Sequence, residues 1–340
     1  MNHPLPFSAT VRTRPPAKLN LFLELLGKRD DGYHDIDTVM IPIDWCDQLT
    51  LRRTESDIID LSVRWIPSPE IVARQLGISP ESAQADMIEI PVDHRNLVYQ
   101  ALEAFRNRFA LQTGFQCDLL KSIPAGAGMG GASSDAAAVL RCAAILNGIS
   151  PNHPVLQELA AVLGSDVPFF LGANREKCRA ARATGRGEHL SQIASSSQFD
   201  IVVVFPQVSL STARVYSVAS IPDVTIDSAD IIKALRAGRA NDVALAGENR
   251  LQEAASKITT EIDEILKSMW RSNLLGCQLT GSGSACFGFA RSTIEAKRVA
   301  NQLRSQHYPG LRVSHCRQSM VPAPIEMISN GERIILSGSK

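Results

Sequence analysis

The stretch IPAGAGMGGASSDAAAVL, residues 123–140, holds four glycines, six alanines, two serines and a single acid. Side chains this small cannot fill a core with bulk, so the segment suits a backbone that something approaches closely. GAGMGG (126–131) meets the G-x-G-x-x-G spacing of dinucleotide-binding turns at Gly126, Gly128 and Gly131. That reading also needs an acid about 20 residues further on for the ribose. None lies between Ala136 and Gln157, so it fails. A Walker loop needs Lys and then Ser or Thr after its last glycine, and neither follows here. What remains is a set of amides converging on a helix N-terminus whose dipole favours an anion, with serine hydroxyls as further donors. A polyphosphate fits that description. Taken alone, the glycines and alanines would also serve a tight helix-packing contact, the lesser of the two readings.

The rest of the chain narrows the class. A length of 340 residues suggests about two domains. Lys+Arg and Asp+Glu both number 35, which gives no broad field to attract nucleic acid or an anionic membrane. The seven cysteines are scattered without a C-x-x-C pair, the pattern of reduced packing thiols rather than of zinc or a disulfide framework. No run approaches the ~18 apolar residues of a membrane span, and the N-terminus carries no apolar signal core. A cytoplasmic location is the expectation.

Residues 9–53 read as strand-rich, with a turn at Asp30-Asp31-Gly32. The segment 54–92 reads as a possible insertion holding a short helix within 66–86. Helical spacing covers 96–111, with a strand from Phe115. Ser133, Ser134 and Asp135 read as the start of a helix over 136–146, and 154–163 as another. The second half restarts with the strand DIVVVF from Asp200. A strand–glycine turn–strand follows at 276–290, a helix at 293–306 and a strand from Leu311. Strands and helices without regular alternation predict α+β rather than a doubly wound sheet. The segments 9–190 and 198–320 read as two domains, and 321–340 as a tail of no assigned role.

Three segments in order, PAKLNLFL from Pro16, PAGAGMGGASSDAA from Pro124 and LTGSGSACFG at 279–288, resemble the motifs of the GHMP kinases. Those enzymes bind ATP on a glycine-rich loop without a Walker motif. The resemblance implies a two-domain α+β fold with the active site in the cleft between the domains. DDGYH (30–34) and GSDVPFFL (164–171) are similar to one branch of that family. Its members phosphorylate the 2-hydroxyl of a cytidine diphosphate-linked methylerythritol, on the non-mevalonate route to isoprenoids.

By position, the resemblance makes Asp166 the catalytic carboxylate and Lys18 its partner. A hydroxyl that attacks phosphorus must lose its proton, and a carboxylate can accept it while a lysine steadies the charge. Asn20, two residues from Lys18 in an extended segment, projects to the same face and is placed near the substrate. Tyr33 and His34 match the cytosine-recognition pair. Tyr216 is expected to complete the aromatic contact, with Thr212 near the diphosphate. Pro124, Gly126, Gly128, Gly130, Gly131, Ser133 and Ser134 form the ATP loop, and Asn96 and Lys121 flank the adenine region. Gly281 and Gly283 support the site as a close turn. Magnesium is implied as the companion of ATP, with Ser134 as a candidate ligand. A small molecule is the only partner implied.

Met129 and Ala132 stand where the family loop carries leucine and a third glycine, and Ala132 requires a negative φ. In ENRLQ (248–252) Arg250 stands where an acid is common. Two rival readings stay open: another GHMP kinase acting on a different alcohol, and a catalytically silent relative that only binds nucleotide.

Overall fold

The computed structural model describes residues 3–66, 71, 90–172, 178–195, 198–206, 208, 210–306, 312–329 and 332–336. The chain begins with a short strand, β1 (Thr10–Thr13), whose Val11 and Thr13 alternate inward. Two long strands follow, β2 (Pro16–Lys28) and β3 (His34–Cys46). They form an antiparallel pair closed by the Asp30-Asp31-Gly32 turn. Gly32 sits at φ +85 there, a conformation with little steric cost only for glycine. Most of β2 is buried, as its nearly continuous apolar run requires. Three irregularities interrupt the pairing, one of them between Asn20 and Phe22. Bulges commonly re-aim side chains beside functional sites. This one falls after Asn20, so Lys18 and Asn20 keep the alternation that puts them on one face.

Next come β4 (Gln48–Thr54) and β5 (Ile59–Trp65), then helix α1 (Leu97–Arg108) and β6 (Gly114–Lys121). The span 54–92 therefore contributes a sheet strand, β5, which runs parallel to β6 at the sheet edge. The short helix expected within 66–86 falls almost wholly outside the described residues. Helix α2 (Gly131–Leu146) starts two residues earlier than the serines suggested. Its cap is Gly130, left-handed at φ 68, with no side-chain cap bond. The serines thus lie inside the first turn, and the free amides there are left for another acceptor. Ala132 takes helical geometry within this turn, which answers its φ requirement. Helix α2 is buried along most of its length, and its alanines let it pack closely against α1, α3 (Pro154–Leu163) and α4 (Val167–Leu171). Strands β7 (Ala181–Gly185) and β8 (His189–Gln192) extend the β2–β3 sheet.

The second half is built on β9 (Asp200–Phe205), then α5 (Thr212–Val218), α6 (Ala229–Ala237) and α7 (Ala240–Ala246). A two-residue strand, β10 (Glu248–Asn249), pairs parallel with β2. Helices α8 (Gln252–Ile258) and α9 (Glu261–Arg271) lead to β11 (Leu275–Leu279) and β12 (Cys286–Ala290). Helix α10 (Thr293–Gln306) and β13 (Arg312–Arg317) complete an antiparallel sheet in the order β11-β12-β9-β13. The segment read as a tail has a structural place. Its strands β14 (Ile325–Ser329) and β15 (Glu332–Leu336) join β1 in the six-stranded sheet of the N-terminal half. Buried Arg141 on α2 donates to Ala323 O at 2.6 Å and ties the approach to β14.

One apolar core is shared by both halves. It joins Leu19 and Leu21 of β2, Met129 of the glycine loop, and Ile201 and Phe287 of the four-stranded sheet of the second half. Met129 occupies the volume a leucine would fill, a nearly volume-conserving exchange. Among the described residues no helix is long and apolar enough to cross a membrane.

Candidate active site

A cavity of about 1270 Å³ lies between the halves. It is walled by β2, the glycine loop and the start of α4 on one side, and by α5 and the 281–282 turn on the other. That volume exceeds the ~300–1,000 Å³ usual for one small ligand and leaves room for two.

The glycine loop is fixed from both sides. Lys18 N donates to Met129 O at 2.9 Å, and Ala285 N to Ala127 O at 3.2 Å. Gly128 is left-handed at φ +72, and a β-carbon there would stand 2.3 Å from Thr280 O. Gly130 is equally constrained, since its β-carbon would meet the Phe170 ring at 3.0 Å and Lys18 Cγ at 3.2 Å. These glycines are required by close approach, as the sequence implied. Pro124, Gly126, Gly128, Gly130, Gly131 and Ser133 all line the cavity. Ser134 does not. It is buried behind the wall, because neighbouring helical positions point about 100° apart, and its Oγ has no hydrogen-bond partner.

Lys18 Nζ lies 3.5 Å from Asp166 Oδ2 and donates to Asn20 Oδ1 at 2.5 Å. Asn20 is oriented at its other end, where Nδ2 donates to Thr38 Oγ1 at 2.8 Å and Thr38 Oγ1 donates to Phe22 O at 2.6 Å. The backbone N–H of Asn20 reaches Thr280 Oγ1 at 3.0 Å. Asp166 is the cap residue of α4, yet its side chain makes no cap hydrogen bond. The carboxylate is one-third exposed, available to a hydroxyl in the cavity.

Tyr33, His34, Thr212 and Tyr216 also line the cavity. The His34 and Tyr216 rings lie 5.2 Å apart at 41°. Burial, and then Lys28, hold the His34 imidazole below its usual value. At neutral pH it is uncharged, with one nitrogen to donate and one to accept. Burial, and then Asp166, push the Tyr216 phenol up to about 12. Thr212 Oγ1 lies 2.9 Å from Ser282 Oγ, which links α5 to the 281–282 turn. Gly281 reaches the site itself, since a β-carbon there would stand 3.2 Å from Asn20 Oδ1 and 3.4 Å from Lys18 Nζ. Gly283 packs instead against Leu279 and Leu210 and is not on the cavity wall.

Asn96 and Lys121 line the cavity but are heavily engaged. Asn96 Oδ1 accepts from Val98 N at 2.9 Å as the α1 cap, and its Nδ2 donates to Pro91 O at 2.6 Å. Buried Lys121 bridges Asp47 and Asp135, the latter at 2.6 Å. Burial opposes its charge, but the two carboxylates outweigh that and raise the ammonium above the usual lysine value. Burial likewise pushes the Asp135 carboxyl up, against the pull of Lys121.

Four contributors, Asn249, Glu24, Asp47 and Arg186, were missed in the sequence. Asn249 donates to Leu279 O at 2.8 Å and Gly281 O at 2.9 Å, holding the turn against Lys18. Arg250 makes a two-pronged pair with fully buried Glu24, both contacts at 2.7 Å. Its departure from the family pattern is thereby matched by an acid on β2. Glu24 was detectable as a lone acid inside an apolar strand. Asp47 and Arg186, the latter on the cavity wall, carried no comparable signal beyond the glycines that flank Arg186.

The pattern described for GHMP kinases N terminal domain matches residues 96–173, and that for GHMP kinases C terminal matches 231–310. The chain is 41% identical to the 4-diphosphocytidyl-2-C-methyl-D-erythritol kinase of Rhodopirellula baltica, over 93% of this chain and 97% of the relative. It is 36% identical to the kinase of that name from Pelotomaculum thermopropionicum, over 85% and 92%. A crystal structure of 4-(cytidine 5'-diphospho)-2C-methyl-D-erythritol kinase matches at TM-score 0.69 and 29% identity, over 91% of this chain and 99% of that one. A homoserine kinase structure from Cytophaga hutchinsonii, at TM-score 0.65 and 13% identity over 94% and 98%, shares the fold. With this two-domain architecture and these relatives, the chain belongs to the 4-diphosphocytidyl-2-C-methyl-D-erythritol kinases, a family of the ATP-using GHMP kinases.

Proposed function

We propose that the chain transfers the γ-phosphoryl group of ATP to the 2-hydroxyl of 4-diphosphocytidyl-2-C-methyl-D-erythritol in the cytoplasm, releasing ADP. The observation that carries this reading is the 3.5 Å approach of Lys18 to an uncapped Asp166, in the cavity that also presents the glycine loop and Tyr33, His34 and Tyr216.

The loop amides and Ser133 cradle the nucleotide phosphates at the start of α2, where unpaired N–H groups and the helix dipole favour negative charge. Asn96 and Lys121 border the adenine. Asp166 accepts the proton of the substrate hydroxyl as its oxygen bonds to the γ-phosphorus and the bond to ADP breaks. Lys18, 3.5 Å from that carboxylate, orients it and offsets charge on the transferring group. Asn20, oriented by Thr38, fixes the Lys18 ammonium. An aromatic face binds a pyrimidine by stacking, and the neutral His34 selects its edge. Thr212 borders the diphosphate.

No cluster of three His, Cys, Asp or Glu side chains suited to a metal occurs among the described residues. The donor set fits a magnesium held chiefly by phosphate and water; Asp135, which lines the cavity and whose Oδ1 is buried and unpartnered, is the acid that would hold it, whereas Ser134, behind the wall, does not face that space. When bound, it would neutralise phosphate charge.

The test is coupled ADP release with Mg-ATP, comparing the cytidylated substrate with the same alcohol lacking cytidine, in wild type and Asp166→Asn. Turnover that requires the cytidine and falls about 10²-fold or more in the variant is the expected result. Turnover on the uncytidylated alcohol alone would reject the substrate, and no turnover on either would reject the kinase reading.

A further inference from the structure

Two cations on the cavity wall, Arg186 and Lys28, have no role above. Lys18 and Lys121 are already matched, by Asp166 and by the Asp47–Asp135 pair. A nucleoside diphosphate-linked substrate brings further negative charge that must be met on entry. Lys28 is an exposed strand-end residue, whereas Arg186 is positioned by its turn. It lies between β7 and β8, flanked by Gly185 at φ +72 and Gly187 at φ +116. The Glu188 carboxylate accepts the backbone N–H of Arg186 at 2.6 Å. Its ion pair with the Arg186 guanidinium is long, 3.9 Å, and Asp31 lies within electrostatic reach, but among the described residues no carboxylate holds the guanidinium at short range. The guanidinium stands 5.1 Å from the centroid of the Tyr33 ring, and Tyr33 remains 56% exposed. The same turn reaches the catalytic segment, since a β-carbon on Gly187 would lie 3.5 Å from Ser165 Cβ.

We infer that Arg186 is a substrate-binding residue for the pyrimidine nucleoside diphosphate end of the cavity, holding the Tyr33 ring and supplying the charge which that end needs. The inference rests on the proposed cytidylated substrate. It predicts an effect on that ligand alone: a cation over an aromatic ring is attracted by its quadrupole, and a guanidinium is a strong partner for phosphate. ATP, cradled by the loop, does not depend on it.

Cytidine 5'-diphosphate is the probe, titrated calorimetrically into the full chain as wild type, Arg186→Ala, Arg186→Met and Arg186→Lys. Loss of the guanidinium is expected to weaken cytidine diphosphate binding about tenfold in the Ala and Met variants, and about threefold in Lys. ATP affinity should stay within about twofold, on the scale of neutral surface changes. In turnover, KM for the cytidylated substrate rises while kcat holds. Cytidine diphosphate binding within twofold of wild type, or an equal loss for ATP, overturns the inference. A wild type that needs cytidine while Arg186→Ala is unaffected removes Arg186 alone. A wild type indifferent to cytidine diphosphate removes the substrate reading and this inference with it.

Discussion

Two lysines line the same cavity, one beside a single acid and one between two, and the proposed mechanism gives them opposite work. Lys121 is buried between Asp47 and Asp135, where Asp47 also accepts from Ile123 N at 2.8 Å. That cluster closes the base of the glycine loop. Lys18 meets a single acid at 3.5 Å, and that acid is one-third open to the cavity. A buried lysine paired with two acids holds structure and has little left to offer a substrate. A looser pair, oriented by Asn20 and Thr38, retains capacity for a proton and a phosphoryl group. Residue type does not separate the two lysines; partner number and burial do.

Exchanging the roles by substitution tests this contrast. Lys18→Met is expected to lower kcat by about 10²-fold or more with a nearly unchanged melting temperature, because Asp166 stays partly hydrated. Lys121→Met reverses the pattern. Two buried carboxyls are left without their cation, which costs about 3–5 kcal/mol of stability, read in urea unfolding. If Lys121→Met folds as well as wild type but fails only in turnover, the contrast collapses. Gly128→Ala comes next, since it forces a side chain into φ +72 and against Thr280 O. A cost of about 1–3 kcal/mol and weakened ATP binding are expected, measured by melting and nucleotide titration.

The smallest effect sharpens the comparison with a third pair, Glu24 and Arg250. Burial works to raise the Glu24 carboxyl, but hydrogen bonds from Arg250, Ile226 N and Leu25 N outweigh it and leave it below its usual value. A depressed carboxylate stabilises the fold above the unfolded value, and that contribution fades as pH falls through the folded one. Arg250→Met should therefore cost about 2 kcal/mol near neutral pH, and the gap from wild type should close below the usual glutamate range. A gap that is constant from pH 7 to pH 3 would show that Arg250 acts through packing instead.

The outline of the site was legible because its most specific demands are local. A left-handed backbone and close approach are met by glycine, so Gly128, Gly130 and Gly281 could be read one residue at a time. Alternation along a strand put Lys18 and Asn20 on one face, and the structure keeps it because the β2 bulge falls after Asn20. The start of α2 was misplaced because the cap is a left-handed glycine, whereas serine is the usual signal. The role of 321–340 was not legible either, since strand pairing with β1 joins residues more than 300 positions apart.

From its sequence alone, this protein's loop, its acid and lysine, and its aromatic pair could be named, since each rests on backbone freedom or side-chain chemistry within a short segment. Tertiary structure alone decided which lysine meets a single, partly exposed acid, that Asp166 is not spent as a cap, that Ser133 rather than Ser134 faces the cavity, and that Arg250 is answered by Glu24. Those outcomes depend on burial and on partners distant in the chain, and a charge is tuned by what surrounds it in space.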